Sequence, residues 1–330
     1  MTITRYMSII FFAVIFFISC SQDLPNRHLL PHKSIERLSD STYFSSVVSN
    51  ITLYKNNIFL SDCFNSRIIC LDSNYNVIRT LGTPGRGPGE FLTPDQFGII
   101  NDSLYVYDQS TKKILVFTVD GKYCREFLLR KYPKIFSRFA MSKNGEIFVS
   151  TPLFEYPITV YDLKGDIKYG VGLKQNDKLS IRERMAGLRH LSLFNDKYII
   201  AIVTSRPEIE IYNLKGRIVK KMDLSHIDIL KDLLNHFNWN KESGGIPSVF
   251  SDMSIYQNNL YLLTASFFNG IVYTNVIIKC DLNQLNISPS TTYTLSHREG
   301  KPDLYLYVGA TSNSIISFIQ ANQSLDIFQF

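Results

Sequence analysis

Positively charged side chains gather in two stretches of the chain, and their chemistry suits an anionic ligand. Residues 130–138 hold two arginines and two lysines without an acid, and residues 172–190 hold five cations against two acids. Arginine pairs with carboxylate, sulfate or phosphate through two parallel hydrogen bonds. The stretches carry +4 and +3, against +6 for the whole chain, so they account for its excess of positive charge.

Aromatic residues are predicted beside these cations, in loops on the same side of the molecule. A surface that combines cations with exposed rings is typical of a site for an anionic or carbohydrate ligand, because rings offer flat apolar surfaces. The predicted ligand-binding residues are Arg67, Lys112, Arg130, Lys134, Arg138, Phe154, Tyr156, Arg182, Arg184, Arg206 and Phe267. The alternative is a solvated basic rim without a specific ligand.

The sequence lacks the usual patterns of catalysis and metal binding. It contains neither a Gly-x-Ser-x-Gly elbow nor a recognisable Cys–His pair, and its six histidines are scattered. Most carboxylates fall in turns, where their oxygens bond to nearby backbone amides. We therefore predict no metal and no cofactor. Glu90, Asp108, Glu155 and Glu208, near predicted loop ends, are the only acids that suit a catalytic site at a channel mouth.

The glycine-rich segment from Gly85 to Phe91, which reads Gly-Arg-Gly-Pro-Gly-Glu-Phe, has the composition of a phosphate-binding loop. It lacks the Lys-Ser/Thr pair and the following helix that such a loop requires. We interpret it as a connection between two structural units, in which glycine supplies positive φ and Pro88 supplies rigidity.

The elements that must position these residues are short strands separated by turn sequences. The clearest unit has strand patterns at Gln96–Ile100, Leu104–Tyr107, Ile114–Thr118 and Tyr123–Leu129, with Asn-Asp and Asp-Gly turns between them. Similar units recur, and their third strands are predicted to end at residues 71, 117, 161, 212, 280 and 319. A period of about 40–50 residues built of strands is typical of a β-propeller. The sequence therefore predicts an all-β, six-bladed propeller with four-stranded blades.

Two departures from the repeat have structural consequences. Apolar residues at helical spacing within Ser225–Trp239 predict one short helix inserted between blades four and five, with Ser225 as its N-cap. The segment Ile35–Val48 is predicted to supply the outer strand that the last blade lacks, because an open ring would leave free strand edges.

The N-terminus has the features of an export signal. A basic start, an apolar run from Met7 to Ile18 and Ser19-Cys20 predict a lipoprotein signal peptide over residues 1–19 and lipidation of Cys20. Ordinary secretion with cleavage near Ser21 is the alternative. Residues 20–34 are interpreted as a tether, and residues 35–330 as the propeller domain.

The four remaining cysteines match no zinc pattern and no dense disulfide framework. Cys70, Cys124 and Cys280 lie within strand-like runs and are predicted to be buried free thiols. A Cys63–Cys70 disulfide stays open at this point.

Residues Leu60–Phe91 resemble an NHL-type repeat: Ser61-Asp62 and Asn65-Ser66-Arg67-Ile68 precede a strand and the glycine-rich loop. The chain also resembles the six-bladed propeller lipoproteins of Bacteroidota, which share a signal, a lipobox and a Gly-x-Gly-Pro-Gly-Glu-aromatic loop. The resemblance covers essentially the mature chain, although only the first two blades match closely. It implies the propeller fold and a place in the bacterial cell envelope, as an outer-membrane lipoprotein facing the periplasm or the surface.

These observations favour a membrane-anchored, non-enzymatic binding or scaffold propeller that recognises a glycan, peptide or protein through its basic loops. The predicted partners are an anionic glycan or an envelope protein, and the membrane through the lipid anchor. Nucleic acid is disfavoured because the protein is predicted to be exported and carries no recognised binding module. The alternatives are a hydrolase or lyase at the mouth of the central channel, and a purely structural lipoprotein.

Overall fold

The computed structural model describes residues 23–131, 133–134, 137–239, 246–283, 285–298 and 302–330. The predicted signal peptide and Cys20 lie outside these residues. The described chain folds into six small, mainly antiparallel sheets arranged in a ring, and a two-stranded parallel sheet lies in the connection between the first two. This confirms the predicted six-bladed propeller with four-stranded blades.

The strands are short and the helices few. In the first half of the chain the strands are β1 (Asn26–Leu29), β2 (Lys33–Ile35), β3 (Val48–Tyr54), β4 (Asn57–Asp62), β5 (Arg67–Leu71), β6 (Val77–Leu81), β7 (Thr83–Pro84), β8 (Glu90–Phe91), β9 (Pro94–Ile100), β10 (Ser103–Asp108), β11 (Lys113–Thr118), β12 (Tyr123–Leu128), β13 (Ala140–Met141), β14 (Ile147–Ser150), β15 (Ile158–Tyr161) and β16 (Ile167–Val171). In the second half they are β17 (Arg189–Phe194), β18 (Tyr198–Val203), β19 (Glu208–Asn213), β20 (Ile218–Asp223), β21 (Phe250–Tyr256), β22 (Asn259–Phe268), β23 (Ile271–Asn283), β24 (Asn286–Leu295), β25 (Tyr305–Ala310), β26 (Ser314–Ile319) and β27 (Ser324–Gln329). The helical elements are a 3₁₀ turn (Cys63–Asn65), α1 (Ile181–Met185) and α2 (Asp228–Trp239).

Each blade places its first strand at the central channel and its fourth strand at the outer rim. The first five blades hold β3–β6, β9–β12, β13–β16, β17–β20 and β21–β24, and the sixth holds β25–β27 with β2 as its outer strand. Contacts between β3, β9, β13, β17, β21 and β25 close the inner ring. Alternation along the strands buries one apolar set on each side of a sheet, so the core lies between neighbouring blades.

Helix α2 confirms the predicted insertion between blades four and five. Leu230 and Leu233 are fully buried on its inner face, in a cluster that includes Phe250 and Leu262 of blade five. An amphipathic helix is stabilised mainly by burying such a face. Helix α1 was not predicted, because only five residues form it.

The ring closes earlier in the chain than predicted. Lys33–Ile35 pairs antiparallel with β27, while β1 adds a fifth, parallel strand to blade five. Leu38 and Phe44, within the segment Ile35–Val48, instead fill the core between blades six and one. The sheet structure therefore begins inside the segment 20–34 that was interpreted as a tether.

The sixth unit also differs by one strand from its predicted register. Ile315–Ile319, predicted as a third strand, lies in β26, the second strand of its blade. The third strand is β27, which β2 then covers. The short last interval of the repeat follows from this difference, since it was measured to the end of a second strand instead of a third.

Two faces of the ring differ in their connections. We call the loop face the side that carries the connections between the second and third strands of a blade and the connections between blades. The hairpin face, on the opposite side, carries the other two turns of each blade. Among the described residues, no helix is long and apolar enough to cross a membrane.

The glycine-rich loop joins blades one and two, as interpreted from the sequence. Its two ends pair as the short parallel strands β7 and β8, and the Glu90 carboxylate accepts a hydrogen bond of 2.7 Å from the Gly87 N–H. Gly82 has φ +78°, and a Cβ there would lie 2.2 Å from the ring of the fully buried Phe91. The loop thus satisfies its own polar groups and anchors Phe91 in the core.

The cysteines of the described chain are all free thiols. Cys70 and Cys280 are buried as predicted, and Cys63 is buried without a disulfide to Cys70. Cys124 is exposed, because it sits on the outer strand β12. Burial raises the pKa of the Cys63 and Cys280 thiols to about 12, so both are neutral at physiological pH.

Candidate functional site

Arg67, one of the predicted ligand-binding residues, holds the fold together instead of presenting its charge. Its Nε lies 2.8 Å from the carboxylate of the fully buried Asp62, and its Nη2 donates to the Tyr43 carbonyl at 2.8 Å. Asp62 also accepts from the backbone N–H of Ser45. The motif that resembles an NHL repeat therefore fastens the loop between blades six and one, which explains why its charges are paired.

Arg138 lies at the centre of the channel rather than on the loop face. Its guanidinium makes a bidentate ion pair with the Asp252 carboxylate, with Nε–Oδ1 at 2.5 Å and Nη2–Oδ2 at 2.7 Å. It also donates to Asn50 Oδ1 at 2.5 Å and to the Val308 carbonyl at 3.0 Å. Arg138 lies two residues before the inner strand of blade three, and its side chain enters the ring.

His190 completes this network from blade four. Its Nδ1 lies 3.3 Å from the Arg138 backbone nitrogen, which donates to it, and 3.7 Å from Asp252 Oδ1. Burial lowers the pKa of His190 to about 4, although the Asp252 carboxylate acts in the opposite direction. The imidazole is therefore neutral at physiological pH, and the channel centre holds one compensated ion pair.

A cavity of about 550 Å³ lies between this network and the hairpin face. Arg138 borders it together with residues of the inner strands of blades one to five. The charges in its wall are already compensated: Lys143 pairs with Asp196, and Asp102 pairs with Lys55. Such a wall offers no net charge to a ligand.

Above blade three, the structure brings several predicted residues together on the loop face. The Lys131 ammonium lies 5.9 Å from the centre of the Phe154 ring. Arg184 Nη2 donates to the carbonyl oxygens of Leu153 and Phe154, at 2.8 and 2.6 Å. Tyr156 crosses Gly170 of β16, where a Cβ would lie 2.2 Å from the ring. The loops on either side of blade three therefore form one continuous surface.

The remaining predicted residues are spread around the loop face. Arg130 pairs with Asp166 at the rim of blade three, while Lys112 bonds to the Gln109 carbonyl in its own loop. Phe267, on blade five, packs against the ring of His236, with ring centres 4.1 Å apart. Lys134 and Arg182 are exposed. A single site containing all eleven residues does not exist.

A second cavity, of about 630 Å³, lies between blades three and four beneath the connection that carries α1. We call it the blade 3–4 cavity. It brings together Arg184 and Arg206 of the predicted set, and adds residues that the sequence did not single out. Its lining residues are Pro157, Gly172, Leu173, Gln175, Leu179, Glu183, Arg184, Gly187, Arg189, Arg206, Glu210, Tyr212, Gly216, Arg217, Ile218 and Lys221.

The inner wall of the blade 3–4 cavity contains a buried ion pair. Arg189 Nε lies 2.7 Å from Glu210 Oε2, which also accepts from the Tyr212 hydroxyl at 2.7 Å. Although burial alone would raise the pKa of Glu210, the hydrogen bonds and charge of Arg189, with the Tyr212 hydroxyl, lower it. This pair is internally compensated, so two of the cations counted in the basic stretches, Arg138 and Arg189, serve the interior.

The cations nearer solvent leave the blade 3–4 cavity positive. Arg206 and Lys221 share Glu208, at 3.2 and 3.0 Å from its Oε2. Arg217 is exposed and its side chain makes no ion pair with the described residues. Arg184 Nε is a buried donor without a hydrogen-bond partner among those residues. Arg217 and Lys221 belong to blade four. The sequence pattern of that blade does not indicate that they line a cavity together with the connection from blade three.

Metal ligation has no support in the described parts of the chain, where no group of three His, Cys, Asp or Glu side chains converges. The acids proposed for a channel mouth are dispersed. Asp108 is fully buried and accepts from the Leu92 and Thr93 amides, and Glu90 bonds within its own loop.

A family model described as 6-bladed beta-propeller, DUF5128, matches residues 39–223. The chain belongs to the DUF5128 family. The match covers blades one to four, including the blade 3–4 cavity, and the structure shows that the same architecture continues through blades five and six of this DUF5128 protein. No curated protein matches the chain.

Solved structures repeat the fold of the DUF5128 protein at low sequence identity. A Bacteroides fragilis protein assigned as exported is 14% identical, with a TM-score of 0.57 and coverage of 89% of this chain and 88% of that one. Virginiamycin B lyase from Staphylococcus aureus is 12% identical, with a TM-score of 0.51 and coverage of 89% and 86%. The Cps50 (Swd1) propeller domain of Myceliophteria thermophila is 9% identical, with a TM-score of 0.53 and coverage of 92% and 99%. These likenesses concern the fold alone.

Proposed function

We propose that this DUF5128 protein is a binding protein that takes an anionic ligand with an apolar part in the blade 3–4 cavity. The observation that carries the proposal is Arg184. Its Nη2 is fixed by two carbonyl oxygens, while its buried Nε in the cavity wall has no partner among the described residues. A buried donor without a partner costs free energy, and an anionic acceptor would recover it.

The composition of the cavity wall supports this ligand chemistry. Arg206 and Arg217 also line the cavity, from the loop-face and hairpin-face ends of blade four, and arginine forks match carboxylate, sulfate and phosphate oxygens. Leu173, Leu179 and Ile218 supply apolar surface in the same wall. A negatively charged group on an apolar body satisfies both features, whereas the charge-compensated cavity at the hairpin face does not favour an ion.

Octyl sulfate and octyl β-glucoside form a matched pair of probes, because they share a chain and differ in headgroup charge. Isothermal titration calorimetry below the micelle concentration should show binding of octyl sulfate and much weaker binding of the glucoside. Arg184→Met should weaken octyl sulfate binding about tenfold or more, the usual worth of a hydrogen bond to a charged group. Arg217→Met, which removes no ion pair with the described residues, tests the same site if the Arg184 variant is unstable.

Lys143→Met is the control, since Lys143 lies on the hairpin face and should leave the affinity unchanged. Equal affinity for the two probes would overturn the proposal. So would unchanged affinity in the two arginine variants. A sulfated disaccharide without an alkyl chain tests the glycan form of the same hypothesis, and its affinity measures how much the apolar wall contributes.

A hydrolase or lyase at the channel mouth is the second candidate, and Asp95 is the residue that favours it. Asp95 is the second residue of the inner strand of blade two, next to the loop face; it is half-buried and accepts from Gln96 Nε2 at 3.3 Å. Burial raises the pKa of Asp95 to about 6, which suits proton transfer near neutral pH. Loss of hydrolase or lyase activity in Asp95→Asn, with octyl sulfate binding retained, would favour this candidate.

The envelope location is part of the proposal. The predicted signal peptide and Cys20 support export and lipid anchoring, and the similar Bacteroides fragilis structure is of a protein assigned as exported. Mass spectrometry of the protein from its native membrane fraction tests lipidation at Cys20. An unmodified mature N-terminus near Ser21 would show secretion without an anchor.

A further inference from the structure

Four large apolar side chains are exposed together on the loop face around blade three. Leu173 is 89% exposed, Ile181 73%, Leu153 44% and Leu179 38%. A single exposed leucine is ordinary, but a group of them marks an interaction surface.

The loops that carry these side chains are held in place by specific contacts. Gln175 Nε2 donates to the carbonyl oxygens of Pro152 and Phe154, at 2.9 and 3.0 Å. A capping box fixes the start of α1: Glu183 Oε2 accepts from the Ser180 N–H at 2.8 Å, and the Glu183 N–H donates back to Ser180 Oγ. The exposed Ile181 side chain therefore lies on a helix whose first turn is fixed by hydrogen bonds.

Cations are interleaved with the apolar residues. Lys131, Lys134, Lys178 and Arg182 are exposed in the same three loops, whereas two of the nearby acids are engaged: Glu155 with Lys174, and Glu183 in the capping box. Asp177 is the remaining acid of these loops. We call this surface the blade-three patch; it comprises Lys131, Lys134, Leu153, Leu173, Lys178, Leu179, Ile181 and Arg182.

We propose that the blade-three patch lies against an anionic lipid surface. Large apolar side chains enter the region between headgroups and acyl chains, and lysine and arginine beside them pair with anionic headgroups. A protein partner needs shape complementarity over a broad area, whereas a lipid surface needs only this mixture of residue types. Leu173 and Leu179 line the blade 3–4 cavity as well, but the lipid contact uses their exposed outer surface and requires no ligand in that cavity.

Vesicle co-sedimentation tests the proposal with residues 23–330, which contain all six blades and both N-terminal strands but no lipid anchor. The probes are vesicles of equal parts phosphatidylglycerol and phosphatidylcholine, and vesicles of phosphatidylcholine alone. We expect binding to the anionic vesicles that weakens as salt is raised. Leu173→Glu with Ile181→Glu should reduce the affinity about tenfold or more, since it replaces inserted side chains by repelled ones.

The matched control replaces Ile78 and Val219 by Glu, because both are 42% exposed but lie on outer strands away from the patch. It should bind like the unmodified protein. The proposal is overturned if the unmodified protein stays in the supernatant with anionic vesicles, if the patch variant binds unchanged, or if the control loses as much affinity as the patch variant. Equal melting temperatures of the two variants show that both are folded.

Discussion

The guanidinium of Arg138 and the carboxylate of Asp252 face each other across the channel in a bidentate ion pair, with N–O distances of 2.5 and 2.7 Å. Asp252 also accepts from the Val308 N–H at 2.8 Å, and Arg138 donates to Asn50. One ion pair thus links blades three and five with one and six. Contacts between non-neighbouring blades supplement the neighbour-to-neighbour packing that holds a propeller together.

Removing the cation of this pair should be costly. In Arg138→Met the buried Asp252 carboxylate keeps only neutral donors, so we expect a loss of about 3–5 kcal/mol in the free energy of unfolding. Urea denaturation measures it. Adding Asp252→Asn should restore part of the loss, because the uncompensated charge is then gone.

Arg130→Met is the matched control for this experiment. The Arg130–Asp166 pair is largely exposed, so its removal should cost less than about 1 kcal/mol. Equal costs at the two positions would show that the channel pair does not support the ring.

His190 should make the protein less stable as the medium is acidified. The folded-state pKa of His190 is about 4, below its ordinary value of 6.5. The unfolded chain therefore binds a proton more readily, and stability falls as pH drops from about 6.5 towards 4. The two charged groups beside the ring, Asp252 and Arg138, oppose each other.

The variant His190→Gln isolates this contribution. The stability difference between the unmodified protein and the variant should change by about 3 kcal/mol between pH 7 and pH 4, as expected for a pKa difference of this size. Denaturant midpoints across that range measure it. Parallel pH profiles of the two proteins would contradict the assignment. Asp95, with its raised pKa, acts in the opposite direction in both proteins and cancels in the difference.

Gly82 should resist substitution for two reasons at once. Its φ of +78° disfavours a side chain, and a Cβ would meet the Phe91 ring at 2.2 Å. Gly270 has a similar φ of +81° with open space around the Cβ position. Gly270→Ala should cost about 1–2 kcal/mol from backbone strain, and Gly82→Ala should add about 1–3 kcal/mol from overpacking. Thermal unfolding measures the loss of stability in both variants. Similar losses would show that the Phe91 ring moves to make room for the new methyl group.

Local signals in the sequence were enough to predict the blades. Turn dipeptides such as Asn101-Asp102 occur with the strand patterns that flank them, so number, type and order of the strands are readable along the chain. The pairing of β2 with β27 joins residues about three hundred positions apart, and depends on which apolar side chains fill the last gap. No local sequence pattern indicates that Lys33–Ile35, and not the residues after it, forms this strand.

The sequence predicted the candidate site less well than it predicted the fold. Clustering of cations along the chain led to the connection above blade three, where Arg184 does line a cavity. Arg138 and Arg189 have the same composition around them, yet both are buried in ion pairs. Their partners, Asp252 and Glu210, come from other strands, and only the folded ring brings such charges together.

The two N-terminal strands have a mechanical consequence. A chain held by a lipid at Cys20 would transmit any pull on the propeller to β1 before β2, since β1 comes first in the sequence. The sixth blade depends on β2, but the fifth is already complete without β1. Under such a pull β1 would detach from β24 first, and the ring would stay closed meanwhile. Strand β1 would therefore protect the β2–β27 pairing, which closes the ring, from force applied at the anchor.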